Sequence, residues 1–175
     1  MAKKHIWRLA YWKTNRGIDA PPRRSGLRLR FEKGTPPEVK TACLVFAKWL
    51  RLIYKFPVRV PVYIKASERI CAMDGESVCG TFFWPFSLNE EPYIRLATGD
   101  YYEMAKKWDS QTAILEILRT FAHELTHYFQ WVNNLQLTPI GEERQAKRYA
   151  NLIISEYEDF LVQNNFIDNC KNVRP

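Results

Sequence analysis

Residues 110–132, SQTAILEILRTFAHELTHYFQWV, decide the fold. Ile114, Ile117 or Leu118, Phe121, Leu125, and Tyr128 or Phe129 recur at steps of three and four, the period of an amphipathic helix. Ser110 or Gln111 starts it, and Asn133-Asn134 end it. Within it lies HELTH, residues 123–127. Two helical residues four apart sit about 40° from one another around the axis and one turn apart. His123 and His127 therefore aim their imidazoles at a common point, as two nitrogen ligands of a tetrahedral Zn²⁺ must. Glu124 sits within reach of a water on such an ion but is angled so that it need not ligate, which suits a proton carrier. The chain has three histidines, so their chance placement in this pattern is rare. The bland alternative, a solvated or core-satisfied pair, fits poorly in so apolar a helix, where unpartnered imidazoles and a carboxylate are costly to bury.

A catalytic zinc takes three protein ligands and leaves one position open. His5 is the only other histidine, it lies in the N-terminal segment, and no cysteine stands near the motif. Carboxylates of the next helix, EERQAKRYANLIISEYEDFLV (142–162), reached through the linker LQLTPIG, are the candidates. Glu143 shares a face with Ala146 and Ala150, and small alanines let that face approach the motif helix closely. Glu142 is the alternative if the helix is rotated by a residue; otherwise it complements the helix dipole.

Upstream, KGTPPE is a loop and helix start, with Thr35 as N-cap and the prolines in the first turn. An apolar stripe of Val39, Ala42, Val45 or Phe46, Trp49, Leu50 and Ile53 predicts a helix from Pro37 to about Lys55, closed by Pro57. LRLRFE (27–32), VRVPVYIK (58–65) and PYIRLAT (92–98) read as strands, with Pro61 suggesting an edge or a bulge. Asp74-Gly75 marks a hairpin turn between RICAM and SVCGTFFW. Strands in succession without helices between them imply an antiparallel or mixed sheet, and the order of elements is α+β.

A chain of 175 residues is the size of one domain, here expected over 27–175 and preceded by an arm at 1–26. Residues 1–33 hold ten of the 26 Lys and Arg but two of the 19 Asp and Glu, so the net charge of +7 belongs to that end. Trp7, Tyr11 and Trp12 alternate with these cations, a pattern that can touch phosphates and stack bases, so the basic stretch 1–33 is a candidate nucleic-acid contact. Four cysteines form neither a disulfide framework nor a metal knuckle; Cys71 and Cys79 are the pair that a hairpin could bring together. No apolar run approaches a membrane span, and no signal peptide is visible. A reduced, soluble, cytoplasmic protein is the expectation, with no membrane partner.

HELTH followed by a helix carrying Glu143, Ala146, Tyr149 and Ala150 resembles the gluzincin branch of zinc metallopeptidases, closest to its single-domain members (minimal gluzincins and the ImmA/IrrE type). The resemblance covers roughly residues 38–160. It implies a zinc metallopeptidase with one Zn²⁺ per chain, held by His123, His127 and Glu143, and with Glu124 as general base and then acid. It also implies a small twisted sheet packed on the first helix and the motif helix, its exposed edge strand forming the upper rim of the cleft. PYIRLAT fits that rim, where an extended peptide substrate could pair by strand addition. Tyr149, Tyr101 and Tyr102 are the candidate donors to a developing oxyanion. The competing reading is a catalytically idle zinc-binding domain that regulates through peptide or nucleic-acid contacts.

Overall fold

The computed structural model describes residues 5–13, 24–72, 75–86 and 90–171, with side chains through residue 164. Strand β1 (Leu27–Phe31) leads to helix α1 (Pro37–Ile53), then to β2 (Val60–Lys65), β3 (Ile70–Cys71), β4 (Ser77–Val78), β5 (Gly80–Phe83) and β6 (Tyr93–Ala97). Helices α2 (Tyr101–Lys107), α3 (Ser110–Val132) and α4 (Pro139–Lys171) complete the α+β order. Helix α3 begins at Asp109, whose carboxylate accepts the Thr112 N–H at 2.8 Å and so caps a free helical donor. For α1 the N-cap is Pro36, not Thr35; the Thr35 hydroxyl instead donates to Glu32 O at 2.9 Å.

A mixed four-stranded sheet has the order β1-β2-β6-β5, with β1, β2 and β6 parallel and β5 antiparallel to β6. Two strand expectations are corrected here. PYIRLAT is not an edge: β6 lies between β2 and β5, and the exposed edge on that side is β5. The segment SVCGTFFW splits at Cys79. Its first part pairs back to Ile70–Cys71 in a two-stranded hairpin, and its second adds a strand outside β6. Pro61 likewise lies in an inner strand. Val60 N–H bonds toward β1, at Gly26 O, so by alternation the donor that proline lacks faces β6 just before that ladder begins at Val62–Ile94.

Helices α1 and α3 pack on one face of this sheet, against Val60, Val62, Ile64, Ile94 and Leu96, each fully buried, and α4 packs on α3. Phe46 of α1 and Phe121 of α3 join them in one hydrophobic core. The N-terminal segment also belongs to this core, against the expectation of a free arm. Residues 6–8 and 11–13 form short 3₁₀ turns, and Trp7 is 2% exposed, stacked on Phe129 with centroids 4.7 Å apart. Its indole N–H donates to Thr126 Oγ1 at 3.2 Å, so this ring cannot stack on a base. Residues 1–4 and 14–23 of the expected arm lie outside the described residues, as does Asp74 of the hairpin turn. Cys71 faces Ser77 across the hairpin, and Cys43, Cys71 and Cys79 are free thiols, so Cys71 and Cys79 do not pair. Among the described residues no helix is long and apolar enough to cross a membrane.

Candidate metal centre

Helices α3 and α4 pack along one another through Ala146 and Ala150, both buried, and this close approach delivers Glu143 to the motif. His123 Nε2 and His127 Nε2 stand 3.2 Å apart. One oxygen of Glu143 lies 3.3 Å from His123 Nε2 and the other 3.2 Å from His127 Nε2. Two nitrogens each about 2.0 Å from a tetrahedral ion are about 3.3 Å apart, so the observed spacing matches an edge of that polyhedron. These three side chains are a group that could hold a metal ion. Glu142 does not enter the triad; its backbone carbonyl serves the site in another way.

Gln130, buried one turn beyond His127, supplies that other part. Its amide nitrogen donates to Glu142 O and to Gln145 Oε1, each at 3.0 Å. Its oxygen must therefore face His127 Nδ1, 2.8 Å away, so Nδ1 carries the proton and Nε2 of the neutral ring is a bare lone pair. That lone pair points at a carboxylate and a second imidazole. A proton on His123 Nε2 or a cation among the three satisfies this arrangement, and the spacing of the donors suits a divalent metal. Burial lowers the His123 pKa, His127 lowers it further, and Glu143 opposes both. The His123 imidazole is thus biased toward its neutral, ligating form. The Glu143 side chain is 64% exposed, so the triad opens to solvent.

Glu124 sits beside the triad and is 6% exposed. Burial first, and the negative Glu143 second, push its pKa up to about 8, while a hydrogen bond from the Phe82 backbone N–H opposes the rise. Strand β5 closes over this carboxylate at Gly80. A Cβ built there would meet Thr120 Cγ2 at 2.7 Å and Glu124 Oε1 at 2.9 Å. A cavity of about 280 Å³ adjoins His127, walled by Phe82, Trp84, Trp131, Leu135 and Leu137, with Gln130 and Glu142 at its polar side.

Glu124, His123, His127 and Glu143 are therefore brought together, while the three tyrosines are engaged elsewhere. The Tyr149 hydroxyl accepts the Ile6 N–H at 3.1 Å, and the Tyr102 hydroxyl donates to Glu38 at 3.5 Å. Tyr101 is buried against Tyr102. His5 packs between Tyr54 and Tyr149, away from the triad. Sequence reasoning missed Gln130 and Gly80. Gln130 was accessible as the polar residue at i+3 from His127 in an apolar helix. Gly80 was accessible as a glycine inside a strand, which often marks close approach by another group.

No protein-family model matches the chain, and neither a curated protein nor a solved structure matches it.

Proposed function

We propose that the chain is a zinc-dependent metallopeptidase of the gluzincin kind, acting in the cytoplasm, where its free thiols stay reduced. The observation that carries the reading is the convergence of His123, His127 and Glu143 with a buried carboxyl group, Glu124, beside them. A Zn²⁺ bound there supplies Lewis acidity and brings the pKa of a coordinated water toward neutrality. The protein supplies the rest. Gln130 fixes the His127 tautomer and Glu143 completes the ligand set. Glu124, held by the Phe82 N–H, accepts a proton at its free carboxylate oxygen and returns it to the leaving amine. Its buried, water-poor surroundings favour the protonated state that the second half of that cycle requires. An extended peptide fits along the free edge of β5, the strand that flanks Glu124, with one side chain entering the cavity beside His127.

Metal analysis of purified protein is expected to give one Zn²⁺ per chain, lost in His123→Ala. Glu124→Gln is expected to keep the zinc and lose peptide hydrolysis by at least about 100-fold, as removal of a general base does. A folded chain that takes up no Zn²⁺ overturns the whole reading. A zinc-loaded chain that cleaves no peptide in a diverse library leaves the idle zinc-domain reading in its place.

A further inference from the structure

The sheet face turned away from the helices has a chemistry of its own. Strand register places Arg28 beside Pro61 and Tyr93 beside Phe83, and sets Arg30, Tyr63, Arg95 and Thr81 in one row across all four strands. Tyr63 is 38% exposed. Phe83 stacks on Tyr93 at 4.7 Å, and Tyr63 meets Tyr93 edge-on at 6.1 Å. The Arg95 guanidinium lies 5.3 Å over the Tyr93 ring and donates to its hydroxyl at 3.1 Å. A groove of about 280 Å³ opens between Tyr63, Lys65, Tyr93 and Arg95. Two acids lie on this face: Glu32, paired with Lys65, and Glu91, paired with both Arg24 and Arg59. Arg28, Arg30 and Arg95 have no acidic partner among the described residues, so the face is net positive.

We propose that this face is a platform for single-stranded nucleic acid. Phosphates meet Arg28 and Arg30 along β1 and Lys65 and Arg95 in the groove, and a base stacks on Tyr63, the exposed ring, beside the Phe83–Tyr93 pair. The cations fit a polyanion, and the rings choose among polyanions. An exposed aromatic ring among these cations adds nothing for an acidic peptide, whereas every base has a π-face to stack on it. A duplex keeps its bases stacked on one another and cannot present them to a sheet. The platform lies on the opposite side of the sheet from the metal centre and does not depend on its chemistry. It does not rely on Trp7, which is buried, and it draws on Arg28 and Arg30 of the same basic stretch.

Fluorescence anisotropy of the full chain with labelled oligothymidylate, oligouridylate and a mixed-sequence duplex tests the proposal. Single strands are expected to bind, with affinity falling as salt rises, and the ratio of the two strands shows whether DNA or RNA is preferred. Tyr63→Ala is expected to weaken binding about 5- to 100-fold and Tyr63→Phe to retain it. Combined Arg30→Glu and Arg95→Glu is expected to abolish it, with circular dichroism confirming the fold of each variant. The proposal is overturned if neither single strand binds at low salt, if the duplex binds as well as they do, or if polyglutamate competes equally. It is also overturned if Tyr63→Ala, or the double charge reversal, leaves affinity unchanged.

Discussion

Gln130 acts on the metal centre through hydrogen bonds alone, and its amide does two jobs at once. It sets which His127 nitrogen is protonated, and it fastens the first turn of α4, at Glu142 next to Glu143, to α3. Gln130→Leu keeps the volume and removes both. Zinc affinity, measured by competition with a chelator, is expected to fall about 10- to 100-fold, the usual cost of losing the group that orients a ligating histidine. Gly80 makes the opposite kind of demand, for absence. Its missing side chain leaves room for Glu124 and the Thr120 methyl, so Gly80→Ala must displace one of them. The expected result is a loss of about 1–3 kcal/mol in stability by urea titration, and a fall in kcat with zinc content unchanged.

Among the elements, β5 has the most roles for its length. It is one of the two edges of the sheet, it donates the Phe82 N–H to Glu124, and through Phe82 it helps wall the cavity beside His127. That cavity is lined chiefly by large apolar side chains. A peptide library is therefore expected to reveal preference for a bulky apolar residue next to the cleaved bond, and Leu137→Asp to shift that preference toward basic residues without altering zinc content. The helices were legible in the sequence because their signal is local: the stripe along 110–132 and the face shared by Glu143, Ala146 and Ala150 repeat within a few turns. The triad followed from the same periodicity. Strand order was not legible. What lies beside β6 is decided by the return of Gly80–Phe83 from a distant hairpin, and no pattern inside PYIRLAT records it. Pro61 misled for the same reason, since its cost depends on which neighbour its missing donor faces. The short helix at Tyr101–Lys107 carries one buried residue, Tyr101, and so has no stripe to read.

At the scale of the molecule, residues 5–13 fasten the two ligand-bearing helices together. Trp7 bonds to Thr126 and Tyr11 N–H to Asn133 Oδ1 on α3 and its C-cap, while Ile6 N–H bonds to Tyr149 on α4. His5 lies under this fastening, and neither ring nitrogen has a hydrogen-bond partner among the described residues. Burial holds its pKa below the ordinary 6.5, against Glu156, which raises it, and with Arg8, which lowers it further. The fold thus favours neutral His5. Its contribution is complete above the unfolded value and is lost as pH falls through the folded one. Glu124, whose pKa is raised, works the other way over the same range, so the His5 contribution is read by difference. In zinc-free protein the urea midpoint of His5→Phe is expected to gain on that of the unmodified chain as pH falls from about 7 to about 5.

The same fastening has a consequence for the order in which the protein is made. Its partners lie 119 to 143 positions along the chain from the residues they hold. During synthesis Trp7 must wait, exposed, until α3 has emerged, and Ile6 until α4 has. Contacts of such long sequence separation form slowly, so the metal site is among the last parts of the nascent chain to close. On the proposed reading, zinc would be captured by a nearly finished fold rather than by a growing one.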